Sequence, residues 1–154
     1  AVWRAARPGL SLTSDLIVGF PGETEDDFLQ TISLMEEVRY DSVFSFAYSE
    51  RPGTRAASFA DSVPQAERRK RLVHLNAVQD RITRALLREC VGLTQEVLVL
   101  GPSARDPQML RGRTPEHRMV NFVGEAQVGD LVQVDILAAG HHTLRGAQVV
   151  INAA

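Results

Sequence analysis

The sequence predicts an α/β segment followed by an all-β segment, and three observations carry that expectation. An apolar run, Leu16-Ile17-Val18, breaks at Gly19-Phe20-Pro21-Gly22-Glu23-Thr24 and passes directly into a helical pattern. This is a strand feeding a helix through a tight turn, and in α/β folds ligands are held at such strand ends. A second helical pattern, opened by Pro64, continues to about Val91 and stops at Gly92. Beyond it lie short β-type runs separated by turn signals, the texture of a small five-stranded barrel of the oligonucleotide-binding type.

Each element follows from local chemistry. Trp3 to Arg7 suits the last turn of a helix, with Arg4 and Arg7 at the carboxyl end and Pro8-Gly9 as the stop. No start methionine or cap precedes it, so the chain is expected to begin inside a βα repeat. Leu10 to Phe20 is the first strand. Thr24 is a good N-cap with Asp27 three residues on, and Glu25, Asp26 and Asp27 complement the helix dipole. Phe28, Ile32, Met35 and Val38 share one helical face. Asp41 to Tyr48 is the next strand, with Phe44, Phe46 and Tyr48 alternating on one side and Phe44 expected in the core. A strand, helix, strand order implies a parallel pair with a right-handed crossover. Ser49 to Ser62 is an ordered loop. The long helix places Leu72, Leu75, Val78, Ile82 and Leu86 on one face. The later strands are predicted at Gln95 to Leu100, Met109 to Thr114, Arg118 to Val123, Leu131 to Leu137 and Thr143 to Val150, with turns at Gly101-Pro102, Thr114-Pro115, Gly129-Asp130 and Gly140.

Composition excludes several classes. A chain of 154 residues that is 44% hydrophobic and 23% charged is ordinary globular material. No apolar run approaches the ~20 residues of a membrane helix, so a cytoplasmic protein without membrane contact, acting as a monomer, is expected. The one cysteine, Cys90, rules out an internal disulfide and cannot alone assemble a metal cluster. The net charge of −2 hides a segregation: residues 1–63 hold five Lys/Arg against ten Asp/Glu, residues 64–91 seven against three, and residues 92–154 five against six. A nucleic-acid partner is permitted by this, not demanded. The run Arg68-Arg69-Lys70-Arg71 is expected on a solvated helix face, where it would steer RNA. His141-His142 is expected in a hairpin turn, and no metal-ligand spacing links the four histidines.

Three motifs in order, Ser14-Asp15-Leu16-Ile17-Val18-Gly19-Phe20-Pro21-Gly22-Glu23-Thr24, Phe44-Ser45-Phe46-Ala47-Tyr48-Ser49-Glu50-Arg51-Pro52-Gly53-Thr54, and Gly112-Arg113-Thr114 with Arg118-Met119-Val120-Asn121-Phe122, carry a resemblance that spans essentially the whole chain. The chain resembles the carboxyl-terminal part of the radical-SAM methylthiotransferases. The resemblance implies that residues 1–63 are the end of a partial TIM-type radical-SAM barrel, residues 64–91 a connecting helix and residues 92–154 a TRAM domain, a small OB-like barrel that binds RNA. It also implies S-adenosylmethionine and two 4Fe-4S clusters in the parent enzyme. The cluster-binding Cys-x-x-x-Cys-x-x-Cys motif lies upstream of the residues seen here, so the chain alone is expected to be inactive.

For the cofactor, the resemblance implies Ile17 against the adenine, a close backbone approach at Gly19, a contact from Glu23 that competes with a plain first-turn acid, and contacts to the adenosyl group from Ser45, Phe46 and Tyr48. Arg51-Pro52 points to the branch that modifies the tRNA anticodon stem-loop rather than a ribosomal-protein aspartate, although Glu50 and Arg55 depart from that branch. In the barrel, Arg111, Arg113, Arg118, Asn121 and Phe122 combine cations, an amide and an aromatic ring, the types that bind phosphates and unpaired bases; the alternative is a solvated strand face with Phe122 in the core. Three readings stay open: methylthiotransfer to carbon 2 of N(6)-isopentenyladenosine in tRNA, RNA binding alone, and methylthiotransfer to a protein.

Overall fold

The structure is a computed structural model that describes residues 2–7, 9–60, 62–104 and 106–149, with the backbone alone at residues 2 and 3. The expected stop at Pro8 and strand end at Val150 lie outside the described residues. The chain forms two compact units, one from residue 12 to 83 and one from residue 84 to 149 together with residues 2–11, which include the short helix α1 (Val2–Ala6).

In the first unit, β1 (Thr13–Val18) and β2 (Ser42–Ala47) pair in parallel, with Ile17 opposite Phe46 and Asp15 opposite Phe44. The crossover between them is α2 (Glu25–Val38). Thr24 caps it as the sequence predicts: the Thr24 hydroxyl accepts from the Asp27 amide at 3.1 Å, and the Asp27 carboxylate accepts from the Thr24 amide at 2.9 Å. No glycine ends α2. Arg39 takes the left-handed conformation instead, φ 53°, and its amide donates to Met35 O.

The third helix, α3 (Gln65–Arg88), contributes its first turns to this unit. The core is Val18, Phe28, Ile32, Met35, Val63, Leu75, Val78 and Ile82, all buried. Sheet pleating sends alternate side chains to opposite faces. Leu16, Val18, Val43, Ser45 and Ala47 are the better-buried set, and Ser45 Oγ lies 2.6 Å from Asn76 Oδ1 of α3, which identifies their side as the helix-covered one. The other face carries Asp15, Ile17, Phe44 and Phe46. Phe44 is 64% exposed, so the expectation that it belongs to the core is corrected: the helices cover the opposite side of the pleat.

The second unit contains the carboxyl end of α3, tightened over residues 90 and 91 by bonds from Cys90 N to Leu87 O and from Val91 N to Arg88 O. A closed barrel follows, built from β3 (Thr94–Pro102), β4 (Leu110–Arg113), β5 (Met119–Val123), β6 (Leu131–Ala139) and β7 (Leu144–Gln148). Its strand order is β3-β4-β5-β7-β6, and β6 closes on β3. Only β5 and β7 run parallel. The five predicted strands are present, with β3 and β6 longer than expected, each carrying its pairing past a register shift, near Val99/Gly101 and Ile136/Ala138. The interior holds Val97, Val99, Val120, Phe122, Val134, Ile136 and Leu144, joined by Leu87 and Cys90.

Gly112 and Gly146 point inward where strands cross closely. A Cβ on Gly112 would strike Leu98 O and the Val97 side chain, and one on Gly146 would strike Asp135 O and Val134. Because the obstructing atoms include backbone, Gly112→Ala and Gly146→Ala should each destabilise the barrel by about 1–3 kcal/mol, read as a lower urea midpoint at unchanged slope. In the first unit, Thr24→Ala should cost about 1 kcal/mol by removing the cap. The Thr24 hydroxyl, then its amide, hold the Asp27 carboxyl below its ordinary value of 3.8. A depressed carboxyl stabilises the fold above its unfolded pKa and loses that contribution as pH falls through the folded one, so the stability difference between wild type and Thr24→Ala should narrow as pH falls below 3.8, leaving the pH-independent bond from the Asp27 amide.

Candidate functional site

Two places bring the chemistry-bearing residues together, one in each unit. In the first, the turn after β1 is held from within. Gly19 is buried at φ +71°, where a Cβ would strike the Arg68 side chain. One oxygen of Glu23, Oε2, accepts from the amides of Gly19 at 2.6 Å and Phe20 at 3.2 Å. The other, Oε1, accepts from Arg71 Nη1 at 2.8 Å, and Arg71 also donates to Glu23 O and Glu25 Oε2 while its guanidinium lies 5.5 Å from the Phe28 ring. Arg68 donates to Tyr48 O at 2.7 Å and Val63 O at 2.8 Å, and the Tyr48 amide donates to Val18 O. The loop-bearing ends of both strands are therefore clamped by arginines of α3.

This geometry sorts the predicted cofactor residues. Ile17 and Phe46 stand side by side in register on the open face, 56% and 54% exposed. The Tyr48 ring packs edge-on against Phe20 at 5.2 Å, and its hydroxyl is buried with no hydrogen-bond partner among the described residues. Two side chains turn to partners within the unit. Glu23 serves the turn itself, with both oxygens bonded to Arg71 and two amides. Ser45 projects to the helix side and pairs with Asn76. The run Arg68 to Arg71 is also not a uniformly solvated face: Arg68 and Arg71 point inward, while Arg69 and Lys70 are exposed. Arg51 is exposed in the loop after β2, which is tied by bonds from Thr54 N and Oγ1 to Arg51 O.

In the barrel, strand pairing sets Arg111 beside Asn121 and Asn121 beside Arg145, one outward row across β4, β5 and β7. Beside this row lies a cavity of about 280 Å³ lined by Ser103, Arg111, Met119, Asn121, His141 and His142, among others. Its walls come from the second and third barrel strands, the loop joining the first two strands and the hairpin joining the last two. In five-stranded barrels of this topology, that combination is where oligonucleotides bind. The hairpin is closed by a bond from Gly140 N to Thr143 O, and the His141 and His142 rings meet edge to face at 5.6 Å.

Two barrel residues lie apart from the outward row. Phe122 is fully buried opposite Gly146, because the pleat that turns Asn121 outward turns Phe122 inward. Arg118 is directed to Cys90, with Nη1 3.2 Å from Sγ. Arg113 stays exposed and makes a long contact with His117 O at 3.4 Å. Arg145, His141 and His142 were missed from sequence. Alternation along the last strand marks Arg145 as outward, but nothing local places it beside Asn121.

Among the described residues, no three His, Cys, Asp or Glu side chains gather to hold a metal, and Cys90 is buried in the barrel core. The residues present do not fit an iron-sulfur cluster. They do fit one apolar wall of an adenosyl pocket, through Ile17 and Phe46. No helix among the described residues is long and apolar enough to cross a membrane.

Clamping by Glu23 predicts a measurable local effect. Glu23→Ala should raise hydrogen–deuterium exchange at Gly19 and Phe20 by ten-fold or more, and Arg71→Ala should destabilise the unit by about 3 kcal/mol by leaving a largely buried carboxylate unpaired. Unchanged exchange in residues 16–24 would show that the clamp does not hold the turn.

Comparison with known proteins agrees with both halves of the chain. Residues 88–149 match the TRAM domain family. The chain is 50% identical over 144 residues to a protein of Bordetella avium named tRNA-2-methylthio-N(6)-dimethylallyladenosine synthase, a match covering 93% of this chain and 30% of that protein. Proteins of the same name match from Bordetella pertussis, at 49% identity over 93% of this chain and 32% of the relative, and from Burkholderia cenocepacia, at 46% over 97% and 34%. The chain thus spans about a third of the length of the curated relatives it matches, and the matched stretch is their carboxyl-terminal part.

Proposed function

We propose that this chain, whose residues 88–149 belong to the TRAM domain family, is the carboxyl-terminal portion of a tRNA-modifying radical-SAM methylthiotransferase. The parent enzyme places a methylthio group on carbon 2 of N(6)-isopentenyladenosine beside the anticodon, and the barrel grips the anticodon stem-loop. The identity to synthases of that name along 93–97% of the chain carries the reading. In the proposed division, residues 1–63 end the radical-SAM barrel, residues 64–91 connect, and residues 92–154 are the RNA-binding module.

The first unit supports its half of the proposal. Parallel sheets are normally covered on both faces, whereas this pair has helices on one and leaves Ile17, Phe44 and Phe46 open on the other. That face suits the lining of a larger barrel. S-adenosylmethionine, when bound, supplies the methyl group and the radical chemistry. This chain's residues bind and orient it: Ile17 and Phe46 pack on the adenosyl group, Tyr48 offers its unused hydroxyl, and the turn at Gly19 keeps the backbone close. The cluster ligands lie outside these residues, so the chain alone does not cleave the cofactor.

The barrel's half rests on the row Arg111, Asn121, Arg145 with Arg113 nearby. Titration of an isopentenylated anticodon stem-loop into the chain at two salt concentrations should give affinity that falls with salt, and Arg111→Ala or Arg113→Ala should each reduce the logarithmic slope by about 0.7–0.9. No binding at low salt would overturn the RNA reading and favour the branch that acts on protein.

A further inference from the structure

We infer that the cavity enclosed by β4, β5, the loop at Ser103 and the hairpin at His141-His142 receives one unpaired nucleotide of the RNA, with its base against the two imidazoles. This rests on the RNA-binding reading of the barrel and states where, and in what form, RNA is held. The volume of about 280 Å³ lies below the usual range of small-ligand cavities, ~300–1,000 Å³, and suits a single nucleotide rather than a folded segment.

The lining divides by chemistry. His141 and His142 line the cavity with two rings that meet edge to face, their planes inclined by 61°. Met119 adds an apolar, polarisable side. The Asn121 amide, which offers both donors and an acceptor, stands on the strand floor where the edge of an inserted base would meet it. Arg111 and Arg145 flank Asn121 on the neighbouring strands, which puts a cationic residue on either side for the sugar-phosphate chain. Arg145 Nη2 has only a long contact, 3.8 Å to the weak acceptor Met109 Sδ. Stacking on rings, one amide for the base edge and cations for phosphate are the means by which proteins hold splayed-out, unpaired bases, and a base paired in a helix could not enter.

The test uses the whole chain and fluorescence anisotropy with three probes: an anticodon-type RNA hairpin, the same stem closed as a blunt duplex, and adenosine monophosphate as competitor. Wild type should bind the hairpin well above the duplex and be displaced poorly by the mononucleotide. The double variant His141→Ala/His142→Ala and the single variant Asn121→Ala should bind the hairpin roughly ten-fold or more weakly. Duplex affinity, salt slope and melting midpoint should stay near wild type. The double variant His141→Phe/His142→Phe, which keeps the ring faces, should restore most of the hairpin affinity.

Hairpin binding that ignores the histidine and Asn121 variants overturns this inference while leaving the RNA reading intact. Equal affinity for hairpin and duplex does the same. Displacement by the mononucleotide at the hairpin's own affinity overturns it in favour of a free-nucleotide site. Failure to bind any RNA removes the underlying reading itself.

Discussion

The barrel depends on one pairing, the parallel contact of β5 with β7. It joins strands separated by the whole of β6, and without it the sheet has two open edges. Closure sends Phe122 inward opposite Gly146 and, by the same pleat, sends Asn121 and Arg145 outward side by side. Core and candidate RNA face are thus two sides of one register. Gly112 and Gly146 are tied to it as well, since each leaves room for a neighbouring backbone where the strands cross. The hairpin bearing His141 and His142 reaches the cavity because it leads into β7, which lies beside β5.

In the first unit the comparable constraint is electrostatic. Glu23 spends one oxygen on two amides and the other on Arg71, so the turn after β1 is shaped without any ligand. Arg68 applies the same tactic to the end of β2 through Tyr48 O. A guanidinium suits this work because its fixed fork can serve several acceptors at once. Arginines that looked like an electrostatic surface are in part internal braces, while Arg111, Arg113 and Arg145 keep the outward role. Charge totals alone could not separate the two groups.

Much of the fold was legible in the residues. Thr24 and Asp27 announced a capping box, the three-and-four spacing from Phe28 announced α2, and turn residues marked out the barrel strands. These signals are local, each acting within a few positions of chain. The candidate sites were legible in residue type more than in direction. Phe44 was assigned to the wrong side because an alternating strand shows which residues share a face but not which face the helices cover. Phe122 stayed open between an RNA contact and the core for the same reason.

What the sequence by itself determined was the order of elements, the capping chemistry, the small barrel and the family likeness, because each is written in neighbouring residues or in motif order. Tertiary structure alone decided which face of each strand is open, that Glu23 and Arg118 are turned inward, and that Arg111, Asn121 and Arg145 form one row beside a histidine-rimmed cavity. Those outcomes follow from pairings between residues far apart in the chain, whose register is set by closure of the barrel and by packing of the helices.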